Sequence, residues 1–439
     1  MTISGELPRI LIIPLASNVV PREEVIELLK QWRENSESLL RGIDIAFFPE
    51  IIDEKNIDKA LSRINAMIED VHGIVLMHLT GGTSKLALEV LINITKAKPF
   101  LVWAFGKFNS LASALNTKSR IQNLLNTPIP VPIVYEDIKP IQEFAVISKA
   151  IDYAYASHKI LLLGPTTGVR VPRGYHIVQS LRLKNILKPV PRDILEEVIR
   201  RIQNWIDDAE AINDQSLSKA LTIYVNVKDL LNTLMERKKV KVKLASIECY
   251  NLIKYYGVAP CLAVSLLLED GYIITCQRDI PAIFGILLLK EITRNYVWLA
   301  DISKIIKDEK ILVFSHSCAN PLLSQSRDKI RVLKHRFRPV YGVIRVPPPI
   351  GEDVTIVQID LQQNKLIWYE GKIVGPARPY EDIEATQMSV KLKPEDFEKF
   401  LERCIDAHFL LTYGKWGHLI DRTNELLKQV TILRELKGV

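Results

Sequence analysis

Apolar residues along the first third of the chain fall into two alternating rhythms. Short unbroken runs, RILIIP (9–14), GIVLMHL (73–79) and PFLVWAF (99–105), have the length and branched content of buried strands. IDIAFFPE (43–50) reads the same way, and PIPVPIVYE (128–136) supplies a fifth strand. Between them the spacing turns helical. Val25, Ile26, Leu28, Leu29, Trp32, Leu39 and Leu40 predict a helix over 22–40, and further helices are expected over 56–70 and in KLALEVLINIT (85–95). Strands alternating with helices predict a parallel sheet covered on both faces. Residues 1–157 are read as this first α/β domain.

A second α/β unit opens at KILLLGPTTG (159–168), a strand running into a Gly-containing loop. Helices are expected over 192–208 and 227–236, and a strand over 241–250. VAPCLAVSLLLEDG (258–271) is largely apolar and ends in an acidic turn. The stretch 273–301 then gives a strand ending at Cys276, a polar turn of Gln277, Arg278 and Asp279, a helix from Pro281 to Arg294, and an apolar run ending in Asp301. Asp279 fits an N-cap, and Pro281 sits where a missing N–H costs nothing. This second domain spans 158–300. Beyond it KILVFSHSC (310–318) reads as a buried strand, and 341–379 shows short strands with a hairpin at Gln362–Asn364. Helices follow over 394–406 and from Leu419. The expected fold class is therefore α/β: two doubly wound parallel-sheet domains, then a mostly antiparallel, barrel-like domain over 301–439.

Composition narrows the class of function. With 48% apolar and 25% charged residues the chain is not disordered. The densest basic run, Arg237, Lys238, Lys239, Lys241 and Lys243, alternates with Val240 and Val242 and has no interleaved aromatics. It reads as the solvent face of a strand, so no nucleic-acid partner is expected. No apolar run has the length of a membrane span. The start, MTISGELPRILIIPLA, lacks a signal peptide's basic region and cleavage site. Five cysteines with no CxxC pair fit buried, reduced thiols, and a cytoplasmic location is expected.

Polar groups at the ends of apolar elements are the candidate site, because pockets of α/β proteins form there. TGGTS (80–84), between a strand and a helix, reads first as a tight turn and second as a cradle for an anion or sugar hydroxyls. The turn 276–279, Asp301 after the next apolar run, and His408 in AHFLLTYG together resemble the L-fucose/L-arabinose isomerase-like family, as does the three-part order of domains. The Gly-Gly-Thr turn, Trp103, and the pair Asn109 and Ser110 add to the resemblance. It implies aldose–ketose isomerisation of a sugar through an enediol, with Mn2+ held by a Glu, an Asp and a His. By position these are Gln277, Asp301 and His408, with Gln277 and Asp301 also in the catalytic positions. Asn109, Ser110 and His316 are implied sugar contacts; in the family the first domain helps to shape a neighbouring subunit's pocket, so the resemblance also implies a homotrimer or homohexamer.

Gln277 stands where the family has Glu. An amide ligates through its oxygen but offers no basic site near neutral pH. Loss of that base removes a contribution worth about 100- to 10,000-fold. Asp279 and Glu248 are the other carboxylates that would replace it if the fold turns either one inward. An alternative is a relative that binds sugar for regulation without turnover. Taken singly, Asp301 also reads as a cap or ion-pair partner, His408 and His316 as structural histidines, and His418 as an exposed one.

Overall fold

The computed structural model describes residues 6–126, 128–237, 243–376 and 378–438. Most of the basic run at 237–243 lies outside the described residues. The described residues form two compact units, one holding Glu6–Tyr153 together with the C-terminal helix from His418, the other Ala154–Gly417.

The first unit is built on five parallel strands: β1 (Arg9–Leu15), β2 (Asp44–Phe47), β3 (Gly73–His78), β4 (Phe100–Ala104) and β5 (Ile133–Tyr135), in the order β2-β1-β3-β4-β5. Every residue of β3 and β4 is buried, as continuous apolar runs require in a sheet covered on both sides. Helices Arg22–Leu39, Ile57–Ile68 and Ser84–Asn93 occupy the periodic segments. Two more, Ser110–Leu125 and Lys139–Ala154, carry patterns that sequence reading did not pick out. The C-terminal helix closes this unit through Gln429. Its buried amide accepts from Phe100 N–H at 2.7 Å and donates to the carbonyls of Phe100 and Pro130 at 3.1 and 3.0 Å.

The second unit combines a parallel sheet and a barrel around one shared core. β6 (His158–Leu163), β7 (Tyr175–Leu181), β8 (Leu244–Ile247) and β9 (Ile273–Cys276) lie in the order β7-β6-β8-β9. β7 was not expected, and the helix expected over 227–236 is the end of a longer one, Gln215–Arg237. The closed antiparallel barrel runs β10-β11-β16-β15-β14-β17, formed by β10 (Val297–Ile306), β11 (Ile311–His316), β14 (Asp353–Asp360), β15 (Lys365–Gly375), β16 (Thr386–Leu392) and β17 (His408–Tyr413). Closure leaves the barrel no free edge. A small ribbon of β12 (Arg331–Lys334) and β13 (Tyr341–Arg345) stands beside it. In the β14–β15 hairpin Asp360 is paired with Lys365, which puts the expected turn at 361–364.

One helix joins sheet to barrel. Ile280–Thr293 is buried at all but Pro281 and Lys290. Gly285 is the point of closest approach, because an added Cβ there would collide with Ile359 of β14 and Leu410 of β17. The missing side chain lets the helix lie against β17, which brings its N-cap beside the first residue of that strand.

Candidate metal centre

Strand register assembles the site. Asp301 of β10 is directly opposite His408 of β17 and, on its other side, Ser315 of β11. Residues directly opposite in an antiparallel pair share a face. His316, the last residue of β11, faces Thr386 of β16. Asp301, His316 and His408 each offer a ligand atom, all within 4.8 Å of one another. Asp301 Oδ1 lies 3.4 Å from His408 Nε2. His316 is buried, while Asp301 and His408 are partly exposed.

His408 is held in the tautomer that a metal ligand needs. Its Nδ1–H donates to Asp279 Oδ2 at 2.6 Å, leaving the Nε2 lone pair toward Asp301. Burial, the largest single influence on the ring, pulls its pKa down. The hydrogen bond to Asp279 and the charges of Asp279, Asp301 and Asp406 outweigh it, and the net shift is upward. Asp279 does two jobs, since its Oδ1 also accepts Ala282 N–H at 2.9 Å as the N-cap of the helix. His316 is arranged differently. Its Nδ1 accepts Cys318 N–H at 3.1 Å, and its Nε2 is buried with no hydrogen-bond partner among the described residues. An unsatisfied buried polar atom costs about 1–3 kcal/mol. Coordination at Nε2 would remove that cost, provided the proton moves to Nδ1 and the bond to Cys318 is given up. One carboxylate oxygen and two imidazoles, with open positions, suit a divalent manganese, iron or zinc ion.

The other expected residues fall as follows. Gln277 is exposed, with φ of 57° in the turn after β9, and that turn reaches the cluster through Asp279. Glu248 is not a spare carboxylate. It sits 2.6 Å from Arg278 Nε, and Arg278 also ties down the 165–167 loop by donating to the carbonyls of Pro165 and Thr167. A carboxylate that sequence reading missed is Glu384, just before β16. Burial pushes its pKa up, His316 opposes this, and the charge of Asp301 adds to it. Its signal was weak, because it lies in a polar loop among Glu381 and Asp382. His418 is exposed. Of the thiols, Cys261, Cys276 and Cys318 are buried, but Cys249 and Cys404 are partly exposed, which corrects the expectation that all are covered. Cys276 and Cys318 are in contact, with their sulfurs 3.0 Å apart.

Two cavities flank the cluster. One, of about 340 Å3, is lined by Asp279, His408, Gln358, Asp360 and Arg170, and reaches neither Asp301 nor His316. The other, of about 650 Å3, is lined by Gln387 and by Ser317, Ile383 and Ala385, the last three being sequence neighbours of His316 and Glu384, and it too reaches neither Asp301 nor His316.

Asn109 and Ser110 belong to the first unit. Asn109 is exposed with φ of 57°. Ser110 is buried, accepts Phe105 N–H at 3.0 Å and donates to the carbonyl of His78. The TGGTS turn is closed in the same way: Thr83 Oγ1 bonds His78 Nδ1 at 2.6 Å and Ser113 Oγ at 2.9 Å. Its side chains are spent on internal bonds, which favours the tight-turn reading.

The fold and cluster define an α/β-plus-barrel protein with a carboxylate–bis-histidine centre. No protein-family profile matches the chain. Over 242 residues, 50% of its length, it is 23% identical to the sulfoquinovose isomerase of Priestia aryabhattai, and the same figures hold for the sulfoquinovose isomerase of Priestia megaterium. The match covers 51% of each relative, so the chain spans about half the length of the curated relatives it matches. Among the described residues no helix is long and apolar enough to cross a membrane.

Proposed function

We propose that the protein is a metal-dependent sugar isomerase that interconverts an aldose and a ketose through an enediol. The observation that carries this reading is the convergence of Asp301, His316 and His408 from three barrel strands, in a chain similar to two isomerases. These three side chains would hold a divalent cation, Mn2+ being the expected one. When bound, such an ion supplies positive charge that favours the oxyanion forms of the two sugar oxygens.

The protein's own groups do the rest. Asp279 fixes the ring of His408 by accepting its Nδ1–H, which leaves Nε2 as the atom turned to Asp301. Glu384 is the proton carrier in this reading. As a carboxylate it takes the proton from C2 of the aldose, and as an acid, after its proton has exchanged with solvent, it protonates C1, while the O2 hydroxyl proton passes to O1. A carboxyl whose pKa is raised by burial is suited to both halves of that cycle. It would also supply the base that Gln277 cannot.

Gln277 itself favours a second reading, a relative that binds sugar and does not turn it over. Incubating the purified protein with Mn2+ and a panel of aldoses, sulfoquinovose included, in deuterated water separates the two. Isomerase activity is expected to give ketose and deuterium at the carbon that exchanges. Binding of a sugar with no exchange at C1 or C2 would sink the enzymatic reading.

A further inference from the structure

The larger cavity carries more positive charge than its neighbours offset. Lys334, Arg336, Arg345 and Arg378 line it, against the single carboxylate Glu381, an excess of three positive charges. His335 adds none near neutrality, since burial and the nearby Arg338 lower its pKa. Of the acids that follow Glu381, Asp382 pairs with Lys304, and Glu384, which does not line the cavity, lies 4.0 Å from His335, which does. Arg345 is the most informative of the four cations. It lies on β13 directly opposite Arg331 of β12. Like charges placed so are destabilising. Arg331 is offset by Asp207, whereas the Nε of half-buried Arg345 has no hydrogen-bond partner among the described residues. A partly desolvated guanidinium beside an open cavity lacks an acceptor that a ligand would provide.

We propose that this cavity is an anion pocket that takes the sulfonate or phosphate group of a sugar, with Arg345 and Arg378 as its anchors. Guanidinium groups match such oxyanions with paired, charge-assisted hydrogen bonds. Placement supports the idea: His335 lines the cavity and lies 4.0 Å from Glu384, and Ser317 follows His316 in sequence, so the pocket adjoins the segments that carry the cluster, while Asp301, His316 and His408 themselves do not line it. The relatives' own substrate, sulfoquinovose, is a sugar that bears a sulfonate. The inference rests on the isomerase reading for its substrate, but not for the binding of the anion.

The test is calorimetry with inorganic sulfate and inorganic phosphate on the full chain, wild type against Arg345→Gln and Arg378→Gln. Steady-state kinetics with sulfoquinovose, glucose 6-phosphate and glucose complete it. Each substitution is expected to weaken anion binding roughly 10- to 100-fold. The KM for an anionic sugar should lie at least about ten-fold below that for glucose in the wild type, and this gap should close in the variants while the glucose values stay put. A lower KM for sulfoquinovose assigns the pocket to sulfonates, and a lower KM for glucose 6-phosphate assigns it to phosphates. Anion affinity unchanged in both variants overturns the proposal. Arg378 is exposed, so its variant keeps the test alive if Arg345→Gln does not fold. Anion binding lost in the variants of a protein that isomerises no sugar would uphold the pocket and remove the isomerase reading. Turnover of neutral sugars with no anion effect would do the reverse.

Discussion

Asp279 and His408, 129 residues apart in sequence, are joined by a 2.6 Å hydrogen bond that sets the tautomer of the histidine. The same carboxylate caps the buried helix at Ala282, so one residue couples the parallel sheet to the barrel. Asp279→Asn keeps a good cap but removes the charge, and Asp279→Ala removes both, at a further cost of about 0.5–2 kcal/mol. Because the pKa of His408 is raised in the folded protein, its contribution to stability is full below the unfolded value near 6.5. That contribution is lost as pH rises through the folded value. In metal-free protein, Asp279→Asn should lower the midpoint of the His408 ring titration followed by NMR. An unmoved midpoint would show that Asp279 does not govern that ring.

His78 should behave in the opposite sense. Burial at the end of β3 pushes its pKa down to about 3. Its contribution to stability is therefore present above the unfolded value near 6.5 and is lost as pH falls through the folded one. Between these limits stability should fall by up to about 1.4 kcal/mol per pH unit from this group alone. Urea denaturation from pH 7 to pH 4 tests this, with His78→Gln expected to show a shallower slope. Equal slopes would contradict the assignment.

Gly285 marks the tightest contact between the capped helix and the barrel. Gly285→Ala should destabilise the fold by about 1–3 kcal/mol, since Ile359 and Leu410 must move to admit a methyl group. On an exposed helical surface the same change would stabilise by up to about 1 kcal/mol. The sign of the change in the denaturation midpoint decides between close packing and slack.

The sequence carried the layout of layers well, because a covered strand must be apolar throughout, as β3 and β4 are. Asp279 with Pro281 announced the helix start for a local reason, and Asp301 and His408 were legible as polar residues ending apolar runs. What local pattern could not carry was pairing across strands. Nothing near His316 shows that β11 lies between β10 and β16, so it read as a pocket contact and not as a third member of the cluster. Glu384 was hidden among neighbouring acids, and its environment comes from His316 and Asp301, which are distant in sequence. Glu248 looked available until the fold set it against Arg278. The helix Gln215–Arg237 was read twelve residues short, although Leu217, Ala220, Leu221 and Tyr224 already carry the helical spacing and are buried along its first half.

Glu384→Gln is isosteric and removes only the basic site. Under the proposed chemistry it should cut kcat by about 100- to 10,000-fold and leave cation content unchanged. Retained turnover would move the proton-carrier role to another group. Loss of the cation along with activity would make Glu384 part of the binding site instead.

The most direct test of the central claim is the cation content of the purified protein after equilibration with Mn2+ and removal of free ion, read by elemental mass spectrometry. About one divalent ion per chain is expected in the wild type, and almost none in Asp301→Ala or His408→Ala. The same content in all three proteins, or none in the wild type, would contradict it.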